Sequence, residues 1–462
     1  MTLIKSISGI RGTIGGAIDD NLTPIDAVKF ASAYGTWIKQ QNPNKKIVRV
    51  VIGRDARISG KMISSLVANT LVGLGIHVID LGLSTTPTVE IAVPIESAEG
   101  GIILTASHNP KQWNALKLLN EKGEFLSGED GEQILEIAEN NAYSFAEVDD
   151  LGTYEKKKGY IKKHVQEVLN LELVDVEAIK NAGFKVVVDA VNSTGGLAIP
   201  ALLKELNVEC VELYCEPNGQ FPHNPEPLKE HLEDISKLVV EEKADFGIVV
   251  DPDVDRLALI SEDGSMFGEE YTLVACADYV LSKTPGNTVS NLSSSRALKD
   301  VTVKHGGTYE ASAVGEVNVV RKMKDNEAVI GGEGNGGIIY PSSHYGRDSL
   351  VGVALFLSLL ANTDKSCKEL RDSYPNYFMS KNKIELTPEI DVDAILEKMA
   401  SEYAHEDVIT IDGVKINFAS EWVHLRKSNT EPIIRIYTES TSQEAADDLA
   451  QNIISEIKSI IA

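Results

Sequence analysis

Three aspartates at alternating positions, Asp251, Asp253 and Asp255, follow the apolar run Phe246 to Val250 and lead into Arg256. Three carboxylates this close repel one another unless a cation sits among them. In a straight strand, side chains at i and i+2 lie roughly 7 Å apart, too far to share an ion with metal–oxygen bonds of about 2.1 Å. The segment must therefore curl, and Pro252 helps to set the curl. An all-oxygen ligand set favours Mg²⁺. A second stretch, Thr105-Ala106-Ser107-His108-Asn109-Pro110, sits between the apolar run Gly101 to Leu104 and Trp113-Asn114-Ala115-Leu116-Lys117. It puts the hydroxyl of Ser107 beside the imidazole of His108, on a turn that Pro110 constrains, with the amine of Lys117 ten residues on. Adjacent residues on an extended turn point apart and no hydrolase elbow surrounds Ser107, so a peptidase-like serine–histidine pair is not expected.

Three further segments carry polar groups in useful combinations. Gly332-Glu333-Gly334-Asn335-Gly336-Gly337 matches the dinucleotide pattern G-x-G-x-x-G, but Ile338-Ile339-Tyr340-Pro341 continues extended and opens no helix. A glycine-rich loop presenting Glu333 and Asn335 is suited instead to gripping vicinal hydroxyls. Arg426-Lys427-Ser428-Asn429-Thr430-Glu431-Pro432, followed by Arg435, combines cations, hydroxyls and an amide in one turn, as an oxyanion cradle requires. Gly9-Ile10-Arg11-Gly12 sets a fixed positive charge between glycines, where backbone and ligand can approach closely. Other readings fit less well. An EF-hand beginning at Asp251 would have Arg256 at its glycine position and strand-like flanks. A haloacid-dehalogenase-type phosphatase commonly has Thr or Val where Asp255 stands. A Walker A loop at Gly53 to Met62 has the wrong spacing and lacks the hydroxyl.

The elements that must hold these loops repeat. Ile47 to Ile52 reads as a strand. Met62, Ile63, Leu66, Val67, Leu71 and Leu74 follow at helical spacing up to Gly75, and Ile76 to Leu81 is the next strand. The same order recurs over Phe184 to Tyr214 and again, more faintly, over Asn287 to Ala313, which predicts three α/β units with parallel pairing. A helical, charge-mixed stretch around Glu132 to Val165 links the first two. Past Ser366 the pattern changes to strands at Ile409 to Ala419, Glu421 to Leu425 and Pro432 to Thr438, with a closing amphipathic helix from Ala445 to Ile460. This α+β module is joined by the segment Asp372 to Asn382.

Composition narrows the partners. The chain has 462 residues and a net charge of 44 − 69 = −25, which disfavours nucleic acid and anionic membranes. An anionic substrate must then find a local basic pocket. Cys210, Cys215, Cys276 and Cys367 do not form a disulfide or zinc framework. The first residues lack a signal-peptide core, and the longest apolar run, Leu350 to Ala361, is too short to span a bilayer, so a cytoplasmic location is expected.

Taken together, the serine, aspartate, glycine-rich and arginine motifs stand in the order of the α-D-phosphohexomutases, and the resemblance spans essentially the whole chain. It implies four domains: 1–152 with a phosphoserine loop, 153–256 with the metal loop, 257–372 with a sugar-recognition loop, and an α+β domain 373–462 with a phosphate-binding loop. It implies that Ser107 carries the phosphoryl group, and that Asp251, Asp253 and Asp255, with a phosphoserine oxygen, hold one Mg²⁺. Arg11, His108 and Lys117 would line the catalytic cleft, with Lys117 as general base or acid. Arg256, Glu333, Asn335, Arg426, Ser428, Asn429, Thr430 and Arg435 would bind substrate. The implied reaction interconverts hexose 6- and 1-phosphates through a hexose 1,6-bisphosphate, activated by that bisphosphate or by phosphorylation of Ser107, in a monomer or homodimer.

The sequence departs from many bacterial relatives in carrying Asn335 and Gly337 where they have Ser and His, and Glu316 where some have His. The Gly-Glu-x-Asn-Gly-Gly form resembles archaeal-type phosphoglucosamine and phosphomannose/phosphoglucose mutases. Glucosamine phosphate is the preferred substrate on this reading, because Glu333 could pair with its ammonium. Mannose or glucose phosphate is the alternative. A sugar phosphatase and a non-catalytic sugar-phosphate sensor are the more distant ones.

Overall fold

β-Branched or apolar runs buried on both faces are the signature of strands covered on two sides, as at Gly100–Leu104 and Phe246–Val250, and the chain forms four sheets. The computed structural model describes residues 2–6, 9–386, 390–427 and 433–461. The first sheet has seven strands in the order Ile4–Ser6, Gly9–Thr13, Trp113–Leu119, Gly100–Leu104, Arg49–Arg54, His77–Leu83, Tyr154–Lys156. The second runs Leu257–Ser261, Phe246–Val250, Lys185–Asp189, Glu209–Leu213, and the third Tyr309–Ser312, Asn287–Asn291, Ala328–Glu333, Gly337–Ile339. The last has five strands, Phe378–Glu385, Ile433–Ser440, Trp422–Lys427, Val414–Asn417 and Asp407–Ile409, every neighbouring pair antiparallel.

The four loops singled out by their chemistry share one placement. Each joins two antiparallel strands. The serine loop connects Gly100–Leu104 to Trp113–Leu119, in a register that sets Ile103 against Lys117. The aspartate loop connects Phe246–Val250 to Leu257–Ser261, with Val250 opposite Leu257. The glycine-rich loop is the tip between Glu333 and Gly337. The arginine segment joins Trp422–Lys427 to Ile433–Ser440, so that Arg426 and Arg435 lie directly across from each other.

Several expectations change. The Gly9-Ile10-Arg11-Gly12 segment lies on the second strand of an antiparallel pair, with Ile4 opposite Arg11. The link around Glu132 to Val165 is two helices, Gly128–Glu139 and Tyr160–Leu169, separated by the strand Tyr154–Lys156, which adds to the edge of the first sheet. The expected border after 152 therefore moves beyond Lys156. The border after 256 moves beyond Ser261, because Leu257–Ser261 completes the second sheet. The segment Asp372 to Asn382 is only partly a connector: Phe378–Glu385 pairs along eight residues with Ile433–Ser440.

The second and third units share one apolar core, which runs from Val186 and Ile248 through Leu355 and Phe356 to Ile330 and Ile338. The helix Ser349–Ala361 lies inside it, with all but two of its residues buried, as an all-round apolar helix must be. No described helix is long and apolar enough to cross a membrane.

Candidate active site

Ser107 stands at the tip of the first hairpin with φ of +48°, a left-handed conformation that a non-glycine residue adopts at some cost. The conformation is held from below. Arg57 is only 1% exposed, and its guanidinium donates to the carbonyls of Ser107 (2.5 Å), Asn109 (2.6 Å), Pro110 (2.7 Å) and Trp113 (3.0 Å). Its Nε donates to Asp55 (3.0 Å), which also accepts from Thr105 Oγ1 (2.7 Å). Thr105 Oγ1 in turn accepts the Ser107 amide at 3.0 Å. The left-handed turn brings Ser107 Oγ to 3.3 Å from His108 Nδ1, so these two side chains do not point apart as an extended turn would have them. The hydroxyl hydrogen bond nevertheless goes elsewhere: Ser107 Oγ donates to Asp251 Oδ2 at 2.6 Å.

The three aspartates are fully buried, and one carboxylate oxygen from each comes within 4.8 Å of the others. The curl that the spacing demands is made by Val254, whose φ of +65° is unusual for a β-branched side chain. Asp251 Oδ1 accepts the amides of Asp255 (3.1 Å) and Arg256 (3.2 Å), which ties the loop on itself. Ser193 and Thr194 hydroxyls donate to the Pro252 carbonyl at 2.7 and 2.9 Å, and Thr86 Oγ1 donates to Asp253 Oδ2 at 2.6 Å. Burial and the neighbouring Asp253 and Asp255 push the Asp251 carboxyl well up. Asp253 goes the other way: against burial, Lys117 and Thr86 hold it down.

Lys117 Nζ donates to Asp253 at 2.7 Å and to Asp255 at 3.3 Å. Burial alone would lower its pKa, but these two carboxylates outweigh it and keep the ammonium charged. His108 is the reverse case, pushed well below the usual imidazole range by burial and by Arg256 and Arg347. Asp253 Oδ1 and Asp255 Oδ1 are buried without a hydrogen-bond partner. Orphaned carboxylate oxygens facing one cluster fit a hard divalent cation, and these three residues could hold one.

Positive charge gathers at the rim. Burial lowers the Arg11 pKa, and the nearby charges of Arg435 and Arg256 lower it further, so guanidinium groups from the first sheet, the last sheet and the aspartate loop share one electrostatic neighbourhood. The Nε atoms of Arg11 and Arg256 are buried and have no protein acceptor. Arg256 otherwise pairs with Glu226 at 3.2 Å. Arg426 is less free than expected, with its Nε 2.7 Å from Asp412 Oδ2. Ser428, Asn429 and Thr430 lie outside the described residues.

On the glycine-rich loop, Asn335 Oδ1 accepts the Gly337 amide at 3.1 Å, and Gly336 is packed so that a Cβ would fall 2.1 Å from the Leu257 carbonyl. Glu333 is engaged on every side. Its Oε1 accepts from Asn291 Nδ2 (2.9 Å) and the Gly315 amide (3.1 Å), and its Oε2 from Arg347 Nη1 (3.0 Å) and Asn335 Nδ2 (3.4 Å). Arg347 also pairs with Glu316 (2.9 Å) and Asp255 (2.7 Å). Sequence reasoning assigned no role to Arg57, Thr86, Ser193, Thr194 or Arg347. Each acts on a motif distant in the chain, and only Arg57, in a Gly-Arg-Asp-Ala-Arg run after a strand, and Ser193 and Thr194, in the loop Asn192 to Gly196 after another, stood in a noticeable local context.

Family models cover the chain in four consecutive pieces: phosphoglucomutase/phosphomannomutase α/β/α domain I at residues 3–144, domain II at 158–264, domain III at 268–377, and the C-terminal domain at 383–456. The chain belongs to the phosphoglucomutase/phosphomannomutase family. As a member of that family it is a phosphohexomutase. It is 36% identical over 94% of its length to a phosphoglucomutase/phosphomannomutase of Thermococcus kodakarensis, of which it covers 95%. It is 32% identical over 97% of its length to a phosphoglucosamine/phosphogalactosamine mutase of Sulfurisphaera tokodaii, covering 98% of that protein. A crystal structure of a phosphoglucomutase/phosphomannomutase family protein from Burkholderia thailandensis superposes with a TM-score of 0.84 at 25% identity, over 99% of this chain and 97% of the other.

Proposed function

We propose that this phosphohexomutase interconverts hexose 6-phosphate and hexose 1-phosphate by shuttling a phosphoryl group through Ser107, with Mg²⁺ on Asp251, Asp253 and Asp255. The observation that carries the reading is the Ser107 hydroxyl bonded to Asp251 at 2.6 Å, in a cleft that also holds the unpartnered Nε groups of Arg11 and Arg256. Bound Mg²⁺ would neutralise charge on the transferring phosphoryl group. In the first half-reaction the O–P bond of phosphorylated Ser107 breaks as a free sugar hydroxyl forms its own bond to phosphorus. That hydroxyl loses a proton, and Ser107 Oγ gains one. The 1,6-bisphosphate then turns over and returns its other phosphate by the reverse steps. His108, held neutral by burial and by Arg256, is suited to accept a hydrogen bond from the sugar hydroxyl. Lys117, held as an ammonium by Asp253 and Asp255, is suited to balancing charge and not to acting as the base. The chemistry is mostly positioning and electrostatics. Arg11, Arg256 and Arg435 would steer a dianion into an otherwise acidic protein.

The sugar is read by Glu333 and Asn335. Glu333 is bonded to Arg347 and holds its charge below the ordinary carboxylate range, Arg347 prevailing over burial. An ammonium would have to share that carboxylate with a guanidinium, so the specific reason to prefer glucosamine phosphate weakens. We take glucose and mannose phosphates as substrates at least as good, which agrees with the name of the relative at 36% identity.

Phosphorus NMR of enzyme with glucose 1-phosphate, MgCl₂ and a trace of glucose 1,6-bisphosphate should show conversion to the 6-phosphate. Release of inorganic phosphate without isomerisation would favour a phosphatase, and no conversion a sensor. Ser107→Ala should abolish turnover. Ratios of kcat/KM for glucose-, mannose- and glucosamine-phosphates then rank the sugars.

A further inference from the structure

The Arg347 guanidinium serves three carboxylates, one on the aspartate loop, one on the glycine-rich loop and one at the start of the helix Glu316–Asp325. Nη2 donates to Asp255 Oδ2 at 2.7 Å, Nη1 to Glu333 Oε2 at 3.0 Å, and Nε to Glu316 Oε2 at 2.9 Å. The residue is fixed at both ends, because its own amide donates to Glu316 Oε1 at 3.0 Å. Its frame is rigid. The next residue, Asp348, caps the buried helix Ser349–Ala361 through the amides of Leu350 and Val351, and its Oδ2 lies 2.8 Å from His164 Nε2 and 3.1 Å from His344 Nε2. Arg347 and Lys117 occupy Asp255 Oδ2, which leaves Oδ1 as the buried oxygen without a partner. One planar cation thus orients a carboxylate of the aspartate loop and the carboxylate of the glycine-rich loop together.

We propose that Arg347 is a positioning residue that couples the metal loop to the sugar-facing loop, so that a change at Glu333 alters cation affinity at Asp251, Asp253 and Asp255. The proposal rests on the reading of those loops given above. The physical basis is charge sharing. When Asp255 turns its charge to a cation, the guanidinium is freed to bond Glu333 more strongly, and when Glu333 loses its charge the guanidinium falls more fully on Asp255 and competes with the cation. A lysine cannot do this, because a single ammonium lacks the fork that spans both loops. Coupling of this kind is reciprocal in binding and is commonly worth fivefold or more.

The test is a double-mutant cycle read by Mn²⁺ binding to the metal-stripped, full-length protein, followed by electron paramagnetic resonance. Glu333→Gln, at a residue that is not a cation ligand, should weaken Mn²⁺ binding about fivefold when Arg347 is present, and less than twofold in the Arg347→Lys background. Equal effects in both backgrounds, or no effect in either, would overturn the coupling, as would a wild type that binds no Mn²⁺. If circular dichroism shows that Arg347→Lys does not fold, the charge-balanced pair Arg347→Gln/Glu316→Gln replaces it as the background, with the same two outcomes. Wild-type isomerisation of glucose 1-phosphate is measured alongside. Its absence defeats the functional reading, whereas a flat cycle in a protein that isomerises defeats only the coupling.

Discussion

At the scale of single residues, the site is made by side chains that hold backbone in conformations it would not choose. Ser107 and Val254 both have positive φ, one on the serine hairpin and one on the aspartate hairpin. Arg57 holds the first of them by donating to four carbonyls while its charge is matched by buried Asp55. Arg57→Met would leave that carboxylate without its cation and the four carbonyls without their donor. Urea unfolding should show a loss of about 3–5 kcal/mol, the usual cost of removing one partner of a buried pair. Turnover should fall as well, because the serine loop loses its floor. A variant with wild-type stability and activity would show that the loop needs no such support.

At the scale of elements, each chemistry-bearing loop is the connection of an antiparallel strand pair, and this regularity was only half visible in the sequence. The motifs themselves were legible, since the aspartate spacing required a curl and the glycine-rich loop was followed by a strand instead of a helix. The strand–helix–strand repeats were legible too. What escaped was the antiparallel strand after the serine and aspartate motifs, Trp113–Leu119 and Leu257–Ser261, and the edge strand Tyr154–Lys156, whose short, exposed sequence has no periodicity to mark it. Phe378–Glu385 escaped for a related reason: four consecutive polar residues, Ser380 to Lys383, break any alternation, and it pairs with a strand some 50 positions on, a partner that local pattern cannot reveal. The roles of Arg57 and Arg347 escaped because a long side chain shows its destination only in three dimensions. The hairpin at Glu333 to Gly337 yields a prediction at this scale. Gly336→Ala would combine a φ of +83° with a Cβ 2.1 Å from a backbone oxygen, so the tip must shift. The strain, of order 1–3 kcal/mol, should appear as a rise of about tenfold or more in KM for the sugar phosphate. Unchanged KM would remove this loop from substrate binding.

At the scale of the whole molecule, the C-terminal domain is docked on the third by few but buried polar contacts. His424 Nδ1 accepts from Ser293 Oγ at 2.9 Å, while Nε2 donates to the Asp412 carbonyl at 2.7 Å. Lys415 Nζ donates to the Leu292 carbonyl at 2.6 Å, and the Asp412 carboxylate accepts the Val314 amide at 2.9 Å. Burial, with Lys415 and Arg426 nearby, brings His424 down to about 4 from an ordinary 6.5, against the opposing pull of Asp412. Between those values an exposed imidazole binds a proton that the docked one refuses, so docking is fully stable above pH 6.5 and weakens as pH falls toward 4, by roughly 1.4 kcal/mol per unit. Hydrogen exchange in Val414–Asn417 and Trp422–Lys427 should accelerate relative to the first sheet at pH 5, and His424→Gln should flatten that dependence. Exchange that does not change with pH would contradict the docking account. The arrangement as a whole, with a basic rim, an acidic triad and a serine on a strained tip, depends on one claim, that Ser107 carries the phosphoryl group. Peptide mass spectrometry after incubation with glucose 1,6-bisphosphate and MgCl₂ tests it most directly. The account predicts phosphate on Ser107, lost on a chase with glucose 1-phosphate at a rate no slower than turnover. Turnover by a protein whose Ser107 stays unmodified throughout would contradict it.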